Sequence, residues 1–179
     1  GGEGGLLYVN EARFSKRAEI FREKGTNRSA FFRGEIDKYT WRDVGSSMLP
    51  SELQMAYLWA QLESIQSLHE KRLSIWNRYY DALANIGLRT SDPILSEGSS
   101  HNGHIFYLIG EQENRTYLPR FKENGVHATS HYEPLHKAVM GNTHGRVSGD
   151  MSVTDDLTQR LIRLPIFAGM SDDDVEFSH

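Results

Sequence analysis

The sequence predicts an α/β protein in which a long helix leads into a small lobe of alternating helices and strands. No glycine or proline interrupts the chain from Glu52 to Ala84, and its apolar residues keep one helical face. Ser51 and Gln54 have the spacing of a capping box at the start of that helix. Beyond Gly87, short apolar runs alternate with helical stretches, as in an α/β or α+β lobe. At about 1.5 Å per residue the helix would extend roughly 50 Å, so we expect it to connect two lobes and to bend near its middle.

The residues before the long helix predict one strand, one helix and a loop. The apolar run 6–9 is a strand candidate. Asn10 is the expected N-cap of a helix that reaches Lys24, because apolar residues recur there at helical spacing. Gly25 follows as the stop, since glycine readily adopts the left-handed conformation that ends helices. The aromatic and basic residues that follow are expected to form a loop.

The small lobe follows a polar linker over residues 90–102. Its apolar pattern predicts a strand over 104–109, a helix over 116–124 that Gly125 ends, a strand over 126–130, a helix over 154–161 and a strand over 162–164. Pro119 fits only in the first turn of its helix, because proline lacks the N–H that later turns need. Ser171, followed by three aspartates, predicts one more helix start.

Composition excludes several classes of protein. With 38% hydrophobic and 11% aromatic residues among 179, the chain can build a core. Zero cysteines exclude disulfides, thiolate metal sites and a cysteine nucleophile. A net charge of -4 argues against a general nucleic-acid binder, and no apolar run approaches the roughly 20 residues that cross a bilayer. We therefore expect a cytoplasmic protein without nucleic-acid or membrane partners.

Metal and hydrolase chemistry are not expected. Four histidines crowd residues 127–144, but their spacing matches no metal motif. The chain contains no G-x-S-x-G, G-x-G-x-x-G or Walker segment. The carboxylates of Asp155 and Asp156 lie in the first turn of a predicted helix, where the helix dipole explains them.

A basic and aromatic block between Glu23 and Gln61 is the first candidate site. Guanidinium groups bind phosphate or carboxylate through paired hydrogen bonds, and aromatic faces supply rigid contact area. Such a block therefore suits a flat anionic ligand. Its members are Arg28, Arg33, Lys38 and Arg42 together with Phe31, Phe32, Tyr39 and Trp41. Residues 11–42 carry nine Lys or Arg against five Asp or Glu, whereas 150–176 carry seven acids against two bases. A phosphate cofactor or a nucleotide diphosphate fits this charge, and an interface between domains or subunits is the alternative.

Seven segments, taken in order, resemble the DegT/StrS family of sugar aminotransferases. They are GGEGG at 1–5, REKGTNRSAFFRG at 22–34, KYTWRDVGSS at 38–47, SELQMAYLWAQLE at 51–63, HNGHIFYLI at 101–109, HYEPLH at 131–136 and RLPIFAGMSDDDV at 163–175. The residues are most similar to the WecE-type branch, which acts on dTDP-4-keto-6-deoxy-D-glucose. The likeness covers essentially the whole chain. It implies the C-terminal part of a fold-type I transferase that depends on pyridoxal 5′-phosphate (PLP), with a long connecting helix and a small α/β domain.

The resemblance also implies a division of the chain. Residues 1–50 correspond to the end of the large PLP-binding domain with an active-site loop, 51–86 to the connecting helix, and 87–179 to a truncated small C-terminal domain. In this family the lysine that forms the Schiff base with PLP lies upstream of the glycine-rich segment. We therefore expect a C-terminal fragment that lacks this lysine and has no catalytic residue of its own. Without the large lobe, the long helix is expected to expose Trp59 and Trp76.

The last residues of the sequence also predict, without the resemblance, that the chain is cut short at its C-terminal end. The helix that begins after Ser171 runs out at His179, short of the roughly 12 residues at which a helix holds without help.

The same likeness assigns binding residues. Ser47 stands where many relatives have the asparagine that reaches the PLP phosphate of the partner subunit, and its hydroxyl can still donate. Leu49 stands at the arginine position of that motif and cannot. A site shared in this way implies a homodimer. The substrate residues are expected to be Arg28, Tyr39 and Trp41 of the basic block, with His131, Tyr132 and His136 of the HYEPLH segment.

The implied reaction is transamination of dTDP-4-keto-6-deoxy-D-glucose at C4 through PLP, for cell-surface polysaccharide biosynthesis. An amino acid, glutamate, is the expected donor. None of the six lysines lies in the apolar sequence context that Schiff-base chemistry needs. The alternative is a non-catalytic remnant that serves as a dimerisation or sugar-nucleotide-binding module.

Overall fold

The computed structural model describes residues 2–83, 89–91 and 97–177. The chain divides into two compact units, Gly1–Ser64 and Ile65–His179, here called the first and the second unit. The described helices of the first unit are α1 (Ala12–Arg22), α2 (Arg28–Phe32) and α3 (Glu52–Glu63). The second unit contains α4 (Ile65–Leu83), β1 (Arg89–Thr90), β2 (Phe106–Ile109), α5 (Asn114–Glu123), α6 (Val139–His144), α7 (Ser152–Arg160), β3 (Leu161–Leu164) and α8 (Asp172–Phe177).

Helix α1 ends at Arg22, two residues before the predicted end at Lys24, and Gly25 follows as the predicted stop. Gly25 has a φ of 78°, and its N–H donates to the Ile20 carbonyl at 2.8 Å. This left-handed turn satisfies a carbonyl that the end of the helix leaves without a partner. The start differs, because the N-cap is Glu11 rather than Asn10, and the Glu11 side chain makes no capping bond.

The strand predicted over residues 6–9 does not form. Leu6, Leu7 and Tyr8 are between 75% and 81% exposed, and no described segment pairs with them. An apolar run becomes a strand only when a neighbouring strand bonds to its N–H and C=O groups. The prediction was wrong because the apolar run itself carries no information about such a partner.

The capping box predicted for α3 is confirmed. The Gln54 N–H donates to the Ser51 hydroxyl at 3.3 Å, and Gln54 Oε1 accepts from the Ser51 N–H at 3.2 Å. The single helix predicted over 51–86 is described as two helices, α3 and α4, and residues 84–86 lie outside the described part. Ser64 ends α3 with φ -104° and ψ 6°, which is outside the helical region.

An antiparallel sheet lies in the second unit, with its strands in the order β1-β2-β3. Strand β2 is central, and its Phe106 lies opposite Leu164 while Ile109 lies opposite Leu161. The mixture of helices and sheet is as predicted. Because the pairing is antiparallel, the described lobe is of the α+β kind rather than the parallel α/β kind.

Helix α4 and this sheet share the core of the second unit. The helix buries Ile75, Trp76, Tyr79 and Leu83, which recur at helical spacing on one face. The residues clustered with them are Phe106, Leu108, Leu164, Met170 and Val175. Burying a side chain of this size contributes about 1.5–3 kcal/mol, so α4 and the sheet stabilise each other.

Trp76 lies inside this core, contrary to the expectation that the long helix exposes it. It is 2% exposed, and its Nε1–H donates to the Ile105 carbonyl at 3.0 Å. Its ring packs edge-on against Phe106, with the ring centroids 5.4 Å apart. Trp59, on α3, is exposed as expected. Helical periodicity marks an apolar face but does not say what covers it, and the chain after α4 covers Trp76.

Helix α8 confirms the start signal at Ser171. The Asp174 N–H donates to the Ser171 hydroxyl at 3.2 Å, and the Ser171 N–H donates back to the Asp174 carboxylate at 2.8 Å. This reciprocal cap brings Val175, which is 1% exposed, into the core.

Other elements of the second unit differ from their predicted bounds. Helix α5 begins at Asn114, which places Pro119 in its second turn rather than its first. The helix therefore lacks one backbone hydrogen bond at that point. The strand predicted over 126–130 is reduced to a bridge between Thr129 and Arg163. The elements that the sequence did not predict are β1, α2 and α6.

Candidate functional site

The loop formed by residues 39–48, here called the 39–48 loop, is tied to the end of α1. The N–H groups of Arg42 and Asp43 both donate to the Gly25 carbonyl, at 2.8 and 3.1 Å. The two segments approach so closely that a Cβ on Gly25 would overlap the Asp43 carbonyl oxygen, and a Cβ on Gly45 would overlap the Gly25 backbone. Glycine is required at Gly25 both for this approach and for its positive φ.

A buried carboxylate organises the start of α2. Glu23 is 9% exposed, and its Oε2 accepts from the N–H and from the hydroxyl of Ser29, both at 2.9 Å. The N-cap residue of α2, Asn27, makes no side-chain capping bond. Glu23 therefore acts as a remote cap, since it satisfies a helix N–H that would otherwise lack a partner. This contact sets the position of Arg28, the first residue of α2.

Aromatic rings accompany Arg28 and Tyr39. The Tyr39 ring packs edge-on against Phe31, and Phe31 packs edge-on against Phe32, each pair with centroids 5.7 Å apart. The Arg28 guanidinium lies over the Phe32 ring at 4.9 Å. No carboxylate of the described residues is within ion-pair distance of Arg28. Its charge is therefore available to an anionic ligand.

Arg33, which the sequence placed in the same block, is already paired. It donates to Glu35 at 2.6 Å and to Glu19 at 2.9 and 3.0 Å. The hydrogen bonds to Glu35 first, and to Glu19 second, raise the pKa of Arg33 above its usual value. Arg33 is therefore not a candidate for binding an anionic ligand. Glu35 is only two residues from Arg33 in the sequence, whereas Glu19 is 14 residues away and could not be predicted as a partner.

Trp41 and Ser47 lie on the 39–48 loop with accessible side chains. Trp41 is 78% exposed, and its Nε1–H donates to the Asp43 carbonyl at 2.7 Å. This bond orients the ring edge and leaves most of the ring in solvent. The backbone of Ser47 bridges to Glu23, and its hydroxyl makes no hydrogen bond to the described residues. Both side chains can therefore contact a ligand.

The lysines all lie at the surface. They are Lys16, Lys24, Lys38, Lys71, Lys122 and Lys137, and each is exposed. Schiff-base lysines are activated by desolvation or by a neighbouring cation. These six have no desolvated surroundings.

In the second unit, one carboxylate of α7 holds two residues of the loop formed by residues 131–137, here called the 131–137 loop. The Asp155 Oδ1 atom lies 2.8 Å from His136 Nε2 and 3.0 Å from Lys137 Nζ. The Lys137 ammonium first, and His136 second, hold the pKa of Asp155 below its usual range. The loop also closes on itself, because the Lys137 N–H donates to the Pro134 carbonyl at 2.9 Å.

A cleft of about 460 Å³ opens beside this loop. Its lining includes His131, Glu133 and Lys137 from the loop, with Asn114 from α5 and Asp155 from α7. Carboxylates, an amide and an imidazole can each bond to hydroxyl groups. The lysine charge is neutralised by Asp155, so the cleft suits a neutral polar group better than a second anion.

The structure separates the three residues predicted in the 131–137 loop. His131 lines the cleft, whereas Tyr132 is 80% exposed and packs edge-on against His131 with centroids 5.3 Å apart. His136 bonds to Asp155 instead of lining the cleft. Lys137 and Asp155 were missed as site residues. The sequence carried no signal for them. Asp155 lies 19 residues after His136, and an acidic residue in the first turn of a helix is usually explained by the helix dipole.

The candidates fall into two groups. Arg28, Tyr39, Trp41 and Ser47 lie in the first unit, and His131, Tyr132 and His136 lie in the second. Within residues 2–83, 89–91 and 97–177, no group of three or more acidic or histidine side chains is arranged to hold a metal ion. The helices of these same ranges include none with the length and apolar character needed to cross a membrane.

Comparison with known sequences points to one family. The sequence profile of the DegT/DnrJ/EryC1/StrS aminotransferase family matches residues 1–177, and this is the family that the seven segments resemble. The spore coat polysaccharide biosynthesis protein SpsC of Bacillus subtilis is 25% identical over 187 residues, which cover 98% of this chain and 47% of that protein. The UDP-4-amino-4,6-dideoxy-N-acetyl-beta-L-altrosamine transaminase of Helicobacter pylori is 24% identical over 140 residues, 75% of this chain and 36% of that protein.

Solved structures of aminotransferases share the fold. PseC of Helicobacter pylori, an aminotransferase involved in the biosynthesis of pseudoaminic acid, matches with a TM-score of 0.77 at 20% identity. The match covers 96% of this chain and 46% of that structure. The chain thus spans about half the length of the first relatives it matches.

Proposed function

We propose that this chain, which belongs to the DegT/DnrJ/EryC1/StrS aminotransferase family, forms part of an enzyme. That enzyme would transfer an amino group to a nucleotide sugar. The match across residues 1–177 is the observation that carries this proposal. Aminotransferases of this family depend on PLP. The relatives named above are described as proteins of sugar or polysaccharide biosynthesis, which supports a sugar substrate.

The proposed acceptor is dTDP-4-keto-6-deoxy-D-glucose, aminated at C4 with glutamate as donor. The Helicobacter pylori transaminase is named for a UDP-linked 4-amino-4,6-dideoxy sugar, which supports amination at C4 of a 6-deoxy nucleotide sugar. The choice of dTDP rests on the likeness to the WecE-type branch. The product would be dTDP-4-amino-4,6-dideoxygalactose, used in a cell-surface polysaccharide.

Ser47 is the residue that fits the cofactor. PLP, when bound, supplies the electron sink that amino transfer needs. The exposed Ser47 hydroxyl can donate to its phosphate, whereas Leu49 has no donor to offer. We assign no Schiff-base role to the six lysines, because all of them are exposed. If Ser47 serves the cofactor of a neighbouring subunit, the enzyme is at least a dimer.

The substrate roles follow from the surroundings of each side chain. The Arg28 guanidinium has no carboxylate partner among the described residues and suits the diphosphate, since a guanidinium can bond two phosphate oxygens at once. Tyr39 and the exposed Trp41 offer ring faces for the base. His131, with Tyr132 beside it, can bond to hydroxyl groups of the sugar. His136 supports the loop through Asp155.

An amino-transfer assay tests the proposal. The chain is incubated with PLP, glutamate and dTDP-4-keto-6-deoxy-D-glucose, and mass spectrometry follows the aminosugar nucleotide. We expect the chain by itself to bind dTDP-glucose in saturation-transfer NMR and to form no aminosugar, and borohydride reduction after PLP addition should leave no stoichiometric lysine adduct. Turnover with one labelled lysine would overturn the assignment of the Schiff base. A folded chain that binds neither dTDP-glucose nor UDP-glucose would contradict the nucleotide-sugar role.

Arg28→Gln and Arg33→Gln form a matched pair for the binding site. Arg28 has no carboxylate partner among the described residues, whereas Arg33 is held by Glu19 and Glu35. Loss of a hydrogen bond to a charged group should weaken dTDP-glucose binding by about 10- to 100-fold in Arg28→Gln. Arg33→Gln should change it little. Equal affinities in the two variants would remove Arg28 from the proposed site.

A further inference from the structure

Two neighbouring carboxylates of α7 have different partners. Asp156 accepts from Arg160 Nε at 2.9 Å, four residues further along the same helix. Asp155 instead contacts His136 and Lys137 of the 131–137 loop, at 2.8 and 3.0 Å. The helix dipole accounts for an acid at either position but not for the contacts of Asp155. Asp155 therefore links α7 to a loop that lines the cleft.

We propose that Asp155 is a positioning residue for nucleotide-sugar binding, because it holds the 131–137 loop with His131 and Glu133 at the cleft. This inference rests on the proposed function. Asp155 acts through the loop, and the groups expected to contact the sugar are those that the loop presents.

The contact is shielded enough to fix the loop. The side chain of His136 is 18% exposed and that of Asp155 is 33% exposed, so water competes less for their bond than at an open surface. The frame that carries Asp155 is also fixed. Asn114 Nδ2 lies 3.2 Å from the carbonyls of both Thr158 and Leu161, which ties α5 to the end of α7. One wall of the cleft is thus rigid, and Asp155 fastens the loop to it.

The bond to Asp155 also sets the state of the His136 ring. A carboxylate accepts, so the proton of a neutral imidazole lies on Nε2 and leaves Nδ1 as the acceptor. The ¹⁵N signals of the ring report this arrangement directly. They respond to loss of the Asp155 contact whether or not a ligand is present.

The test compares the full chain with Asp155→Asn and with the control Asp156→Asn. The control removes a charge from the same turn of α7 without touching the loop. Isothermal titration with dTDP-glucose should show about five- to tenfold weaker binding for Asp155→Asn, the size of one lost hydrogen bond, and less than about twofold for Asp156→Asn. The His136 ¹⁵N signals should change in Asp155→Asn alone. Asp155→Glu, which restores the carboxylate, should recover part of the affinity.

A second variant guards against a folding defect. Thermal unfolding is measured for every variant. His136→Ala removes the contact from the loop side, because alanine has no donor for the Asp155 carboxylate, and should reproduce the loss of affinity. Full affinity in a folded His136→Ala would overturn the proposal.

The other outcomes are distinguishable. Unchanged binding by Asp155→Asn with altered His136 signals would mean that the carboxylate holds the loop for stability alone, which overturns the proposal. Equal losses in Asp155→Asn and Asp156→Asn would assign the effect to charge and overturn it as well. If the folded wild type binds neither dTDP-glucose nor UDP-glucose, the proposed function fails, and the inference fails with it.

Discussion

Replacing Gly25 by alanine should loosen the 39–48 loop, and Gly34→Ala is the matched control. Both glycines have positive φ, 78° and 74°, but a Cβ on Gly34 meets nothing within 4 Å. Alanine in that conformation costs about 1–2 kcal/mol, which is the whole effect expected at Gly34. At Gly25 the added Cβ overlaps the Asp43 carbonyl. The bonds from the Arg42 and Asp43 N–H groups must then stretch or break, which adds about 1–3 kcal/mol.

Hydrogen exchange at the Arg42 and Asp43 amides measures this difference. We expect exchange to be about 5- to 150-fold faster in Gly25→Ala than in Gly34→Ala. The Trp41 indole N–H signal should shift as well, because that group donates to the Asp43 carbonyl at 2.7 Å. Equal exchange in the two variants would refute the reasoning, since the backbone conformation alone would then account for the effect.

Three further predictions concern stability. Phe106→Ala should lower the free energy of unfolding by about 3–5 kcal/mol, because the ring is fully buried; urea denaturation checks this, and a loss below about 1 kcal/mol would contradict the core described for the second unit. Glu23→Ala leaves the Ser29 N–H without its partner and should speed exchange of that amide by an amount equivalent to about 1–3 kcal/mol, whereas unchanged exchange would argue against the remote cap. The Ser171 N–H and hydroxyl hold the pKa of Asp174 below its usual range, so the cap of α8 should be intact above about pH 4 and lost as the pH falls through the lowered folded pKa. A ¹³C titration of the Asp174 carboxyl group measures that pKa, and a midpoint at or above the ordinary value would contradict the contact.

The local signals at Ser51, Ser171 and Gly25 predicted local structure correctly, whereas the N-cap expected at Asn10 lies at Glu11. The Ser51 and Ser171 caps were predicted because each bond joins residues only three positions apart. The stop at Gly25 depends on its own φ and a nearby carbonyl. Such features need no knowledge of the rest of the fold, so the sequence alone is sufficient to place them.

Contacts between distant segments could not be predicted in the same way. The exposure of Leu6, Leu7 and Tyr8 and the burial of Trp76 both depend on whether another segment lies against them. The candidate site shows the same limit, because Glu19 neutralises Arg33 from 14 residues away and Asp155 holds His136 from 19 residues away. Residue type marked these side chains as charged, but only the fold decides which charges are already paired.

Binding of dTDP-glucose to the isotope-labelled chain, mapped by NMR, tests the central claim most directly. We expect saturable shifts of the Trp41 indole N–H and of the His131 imidazole. Trp41 is an exposed ring of the first unit, and His131 lines the cleft of the second. A folded chain whose Trp41 and His131 signals stay unchanged at saturating dTDP-glucose would contradict that claim.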